Sequence, residues 1–155
     1  MMQKKVQIIS DGSLDLSQEL TKEKDIEVVP FYVSFDSETY QKEMVEVGVR
    51  EFYQEMVDHP TVFPKTSMPS VHDYYEVFEK YAKEQLPVIC ICITKKFSGS
   101  LQSATTAKDM ILEEYQDAQI TVIDSTVNTV LQGLYVLEAC RLRDMGLEYQ
   151  QIVDA

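Results

Sequence analysis

The sequence predicts an α/β domain built on a parallel sheet, and three features predict it. Val88 to Ile93 is a continuous apolar run, β-branched at four of its six positions, as expected of a strand buried on both faces. It runs into a polar, flexible loop, Thr94 to Gly99, after which Leu101, Ala104, Ala107 and Ile111 repeat at helical spacing. The same alternation of strand, polar loop and helix recurs along the chain, with no internal repeat or low-complexity tract.

In chain order, Val6 to Ser10 is the first strand, and Ser10–Asp15 is a turn-rich cluster leading into a helix over about Ser17 to Lys24. Ile26 to Phe35 is the next apolar run, with Pro30 placing a bend or an edge within it. Ser37 to Glu46 reads as a loop or short hairpin carrying Tyr40, and Val49, Phe52, Tyr53 and Met56 mark a helix that His59-Pro60 breaks. Phe63–Ser70 holds two prolines and three hydroxyls, the composition of an ordered, extended loop. Ser70 with Asp73 three residues on reads as a helix N-cap, and Val71, Tyr74, Tyr75, Phe78 and Tyr81 form one apolar face behind it. His72 lies off that face and reads as a surface residue.

Gln119 to Ile123 is a fourth strand, ending in Asp124, Ser125 and Thr126. The helix Thr129 to Met145 is apolar almost all round, so it is expected to be buried or covered. Gly146 is placed to end it in a left-handed conformation. A further helix from Leu147 stops at Ala155, from which a longer parent protein is expected.

The 155 residues suit one domain and can hide roughly two-thirds of their unfolded surface. A net charge of −12 argues against nucleic acid or an anionic membrane surface as partner. No apolar run reaches the length of a membrane span, and nothing at the start has the apolar core of a signal peptide. The three cysteines form no even framework, and Cys90 and Cys92 share one face of a strand as small hydrophobes. The reducing cytoplasm is the expected compartment.

In an open α/β sheet, ligands bind beyond the carboxyl ends of the strands. Three such ends here carry polar groups: Asp11 with Ser13, Thr94 with Ser98 and Gly99, and Asp124 with Ser125. The Lys65-Thr66-Ser67 loop is a fourth contributor. Ser98 and Ser100 would serve equally well as helix caps, and Ser13 likewise. The set is rich in neutral donors, which suits a carboxylate or phosphate head group. Nucleophilic hydrolysis lacks its elbow, because the residues around Ser98 read Lys96-Phe97-Ser98-Gly99-Ser100, and the two histidines lie away from the strand ends. Glycine-rich phosphate and dinucleotide motifs are absent. Binding without turnover, metal or cofactor is the expectation, with a phosphotransferase or hydrolase using Asp11, Ser98 and Asp124 as the alternative.

Six blocks, Ser10–Asp15, Val29–Pro30, Phe52–Tyr53, Lys65–Ser70, Phe97–Ala104 and Val122–Ser125, follow the order and approximate spacing of the DegV family, which the chain resembles over nearly its whole length. The resemblance implies a three-layer, parallel-sheet α/β amino-terminal domain, residues 1–155, forming one half of a two-domain protein. It implies binding of a long-chain fatty acid such as palmitate, in some members as carrier for a fatty-acid kinase. Thr66 and Ser98 match the hydroxyls that hold the carboxylate, with Ser67, Asp11, Ser13 and Gly99 beside them, and the acyl chain would enter the apolar interior. Gly12 stands where the family usually has a hydroxyl. The remaining carboxylate contacts, a histidine among them, belong to the second domain.

Overall fold

The computed structural model describes residues 5–155. Strands β1 (Gln7–Asp11), β2 (Ile26–Val29), β6 (Val88–Cys92) and β7 (Ile120–Asp124) form an all-parallel sheet in the order β2-β1-β6-β7. Every residue of β1 and β6 is buried, as a central parallel strand requires. The two faces of β6 separate by the strand's period of two. Val88, Cys90 and Cys92 meet α3 (Val71–Lys83) and α4 (Ser100–Glu114), whereas Ile89 and Ile91 meet α5 (Thr129–Asp144) and α6 (Tyr149–Asp154). The expected three-layer arrangement follows. On the α3 side, Tyr74 and Phe78 are wholly buried, and burying Phe78 alone contributes about 1.5–3 kcal/mol.

Two expectations need correction. The run Ile26 to Phe35 is not one bent strand: at Pro30 and Phe31 the chain leaves the main sheet, and Tyr32–Ser34 becomes β3 of a second, antiparallel sheet. Its partners are β4 (Gln41–Lys42), so that the segment 37–46, expected as a loop or short hairpin, supplies the turn and second strand of a hairpin that begins at Tyr32, and β5 (Lys65–Ser67), inside the segment expected to be a loop. Pro64 and Pro69 cannot donate to a ladder, and of the four residues between them Lys65, Thr66 and Ser67 pair. The apolar pattern of α5 also misleads. Gln132, Gly133, Val136, Ala139 and Cys140 face inward, while Val130, Leu131, Leu134 and Tyr135 on the opposite side are more than half exposed.

Helix α1 (Gln18–Glu23) is capped by Ser17, and Gly146 takes the left-handed conformation expected after α5. α2 (Val49–Asp58) buries none of its residues. Among the described residues no helix is long and apolar enough to cross a membrane.

Asp73 joins the small sheet to the main layer. Its Oδ2 accepts from Ser70 N (2.8 Å) and Ser70 Oγ (2.5 Å), and Ser70 Oγ accepts from Asp73 N (3.1 Å), which with the Ser70 N bond closes the expected capping box. Its Oδ1 accepts from the Tyr32 hydroxyl at 2.7 Å and faces Lys42 Nζ at 3.4 Å. Burial alone would raise this carboxyl's pKa; the Ser70 and Tyr32 donors and the Lys42 charge outweigh it and lower it below the ordinary 3.8. A depressed folded-state pKa contributes stability above the unfolded value and loses it as pH falls through the folded one. The stability lead of the protein over its Asp73→Asn variant is therefore expected to shrink once pH falls below about 4. Urea titrations at stepped pH check this; a lead independent of pH would refute it.

Candidate functional site

The carboxyl end of β1 points Asp11 into the centre of the fold, where it is wholly buried. Its Oδ1 accepts from Ser13 N (3.3 Å), Ser13 Oγ (2.6 Å) and Gln132 Nε2 (2.8 Å). Its Oδ2 accepts from Ile93 N (2.9 Å) and Ser100 Oγ (2.8 Å). Because Ser100 spends its proton on the carboxylate, its oxygen is left to accept from the Tyr74 hydroxyl at 2.6 Å. Burial above all pushes the Tyr74 phenol well above its usual range, so that donor stays protonated. Gln132 also donates to Ser10 Oγ at 3.0 Å. Asp11 thus fastens β1, the β6–α4 loop, α4 and α5 to one point, and its acceptor positions are occupied from within.

The hydroxyls expected to meet a ligand lie outside this lock. Ser98, half-buried, accepts from Ser100 N at 3.1 Å as the loop enters α4. Gly99 is the N-cap of α4 without a side-chain cap, and a Cβ placed there would stand 2.6 Å from Met68 Sδ. That contact sets the β6–α4 loop against the end of β5. Thr66 and Ser67 are exposed on β5, opposite Val33 and Tyr32 respectively. Thr66, but neither Ser67 nor Ser98, lines a cleft of about 530 Å³ whose apolar wall includes Leu16, Val33, Val47, Phe52 and Tyr53.

Gly12, Glu43 and Met44 line both this cleft and a smaller one of about 160 Å³, walled by Leu14, Leu16, Ile26, Val28 and Pro30. Glu43 N donates to Phe31 O (3.0 Å), and its side chain curls back so that Oε1 accepts from Phe31 N (3.1 Å). The carboxyl lies over Gly12 so closely that a Cβ on that residue would come within 1.9 Å of Oε1. Burial raises the Glu43 pKa above the ordinary 4.5; the Phe31 N–H opposes the rise and the Asp11 charge adds to it.

The third expected strand end is engaged locally: Asp124 Oδ1 accepts from Thr126 N (2.9 Å), and Ser125 Oγ donates to Val127 O (3.0 Å). His59 and His72 are surface groups facing Glu55 and Glu76 of the same helical stretches at 3.5 and 3.4 Å. Among the described residues no cluster of three or more His, Cys, Asp or Glu could hold a metal. Gln132 and Glu43 escaped the sequence reading, which placed Tyr74 on an apolar helix face without its bond to Ser100. A lone glutamine amid the apolar run of α5 was a usable signal for the first; Glu43, in an acidic stretch, offered none.

A parallel sheet that gathers polar groups beyond its strand ends, with an apolar cleft beside them, has the build of a small-ligand-binding protein. Residues 5–155 match the family model described as "Uncharacterised protein, DegV family", and the chain belongs to the DegV family. It is 35% identical over 148 residues to a DegV domain-containing protein of Clostridium acetobutylicum, covering 96% of this chain and 51% of that protein. A homologue from Halalkalibacterium halodurans is 36% identical over 151 residues, covering 97% of this chain and again 51% of the relative. The chain therefore spans about half the length of the curated relatives it matches. Among solved structures, the stearic acid-binding protein of Eubacterium ventriosum superposes with a TM-score of 0.91 at 46% identity, over 96% of this chain and 51% of that one. A fatty-acid-binding DegV family protein of Thermus thermophilus gives 0.81 at 27% identity, over 97% and 51%.

Proposed function

We propose that this chain binds a long-chain fatty acid, holding the carboxylate at Thr66 and Ser98 and the hydrocarbon in the cleft beside Thr66. The cleft carries the proposal. At about 30 Å³ for a group the size of water, 530 Å³ accepts on the order of seventeen heavy groups, the size of an acyl chain of roughly sixteen carbons. Hydroxyl donors supply charge-assisted hydrogen bonds to a carboxylate without a fixed cation, and each buried methylene adds about 0.8 kcal/mol. The stearic acid-binding relative at 46% identity supports the same ligand class. In this reading Asp11 and Ser13 position the rim, Gly99 lets β5 approach the β6–α4 loop, Ser67 flanks Thr66, and the remainder of a longer protein completes the head-group contacts.

Thr66 is exposed and Ser98 half-buried on this half of the protein, so a carboxylate held by them would lie near its surface. That suits a carrier presenting its ligand to a fatty-acid kinase, with no turnover by the chain itself. The occupied acceptors of Asp11 and the surface pairing of both histidines support a non-catalytic role. The three cysteines, free and buried, fit a cytoplasmic location.

The test is mass spectrometry of lipid extracted from the full-length protein, where fatty acid of roughly C14 to C18 is expected in near-equimolar amount, consistent with the cleft's capacity. A lipid-free protein that also fails to take up added fatty acid would overturn the proposal. Thr66→Ala and Ser98→Ala are each expected to weaken binding by about 1–2 kcal/mol, because Thr66 is exposed and Ser98 half-buried, so neither donor is fully desolvated. Unchanged affinity in both variants would remove them from the site.

A further inference from the structure

We infer that Glu43, folded back over Gly12 with Met44 beside it, is the partition that ends the acyl channel and sets the longest chain accepted. The inference rests on the fatty-acid reading above and adds to it a residue that determines specificity. Three observations carry it. Gly12, Leu16, Gln18, Glu43 and Met44 are shared by the walls of the 530 Å³ and 160 Å³ clefts, so the two clefts meet at these residues, with Glu43 reaching across to Gly12. The Glu43 side chain occupies the volume that a Cβ at residue 12 would need, 1.9 Å from Oε1, so this arrangement depends on glycine there. Oε1 is tied to Phe31 N at 3.1 Å, which fixes the carboxyl across the gap.

The space behind the partition is mainly apolar, with Leu14, Leu16, Ile26, Val28 and Pro30 on its walls beside Gln18, Thr21 and Lys22. Its 160 Å³ would take on the order of five further heavy groups. A hydrocarbon end reaching Glu43 meets a steric stop, and passing it would strip water from a carboxyl with one backbone donor to replace it. The chain accordingly stops at Glu43, although apolar volume continues beyond.

The test compares binding of saturated fatty acids from C12 to C22 by the full-length protein and two variants. Glu43→Ala removes the stop together with the Phe31 bond; Met44→Ala opens the same wall while leaving that bond in place. Both are expected to move the affinity optimum toward longer chains by about two to four carbons, with a gain of about fourfold for each methylene newly buried. Glu43→Gln keeps the side chain's length and its Oε1, and is expected to restore the wild-type cutoff. Wild-type binding with an unmoved optimum in both alanine variants would overturn the partition and leave the fatty-acid reading standing. A wild-type protein that binds none of the series would overturn both.

Discussion

Asp11→Ala is expected to lower the free energy of unfolding by about 3–5 kcal/mol, enough to threaten folding in a domain of ordinary stability. The carboxylate is wholly buried, as are Gln132 and Ser100, which cannot turn to water when it is removed; Ser13 and Ile93 are half-buried. Ser13, Gln132, Ile93 and Ser100 each lose an acceptor, and a buried donor left unpaired costs about 1–3 kcal/mol. The Tyr74 hydroxyl loses its ordered partner as well, since Ser100 is then free to rotate. Asp11→Asn should be milder, because one oxygen still accepts, although its amide must face donors on one side. Urea unfolding of both variants checks the order: alanine worst, asparagine intermediate. A loss below about 1 kcal/mol in Asp11→Ala would mean that the five donors find other partners. A catalytic or directly ligating Asp11 would instead spare stability while abolishing function.

This lock also marks the limit of what could be read from the chain. β6 was legible because a β-branched apolar run between turn residues has few other interpretations, and the helix after it because its period changes at Leu101. The capping box was legible because Ser70 and Asp73 are local to each other. Lys65–Ser67 was not, because three exposed residues between prolines carry no apolar period; only the ladder to β3 makes them a strand. The site divides the same way. Asp11, Ser13, Ser98 and Thr66 were visible as polar groups at strand ends or in the proline-bounded loop. That Asp11 is locked inward depends on Gln132 and, through Ser100, on Tyr74, which arrive from α5 and α3 across 121 and 63 positions of sequence. The apolar outer half of α5 marks the opposite failure, where composition implied a cover that the described fold does not supply.

Gly133→Ala is expected to cost about 3 kcal/mol or more, at the upper end for overpacking. Gly133 lies inward on α5, where a Cβ would stand 2.4 Å from the Leu14 backbone carbonyl and 3.0 Å from Leu16 Cδ2. A leucine tip can rotate away, but the Leu14 carbonyl is fixed by the 3₁₀ turn Gly12–Leu14, whose N-cap is Asp11. Relief therefore requires α5 to move outward as a body. That movement would pull the adjacent Gln132 from Asp11 Oδ1 and Ser10 Oγ, now 2.8 and 3.0 Å away. Gly133→Ala and Gln132→Ala should consequently be less than additive, since the first already breaks much of what the second removes. A double-mutant cycle in urea measures this coupling. Independent, additive losses would show that α5 takes up the extra methyl without disturbing the Asp11 lock.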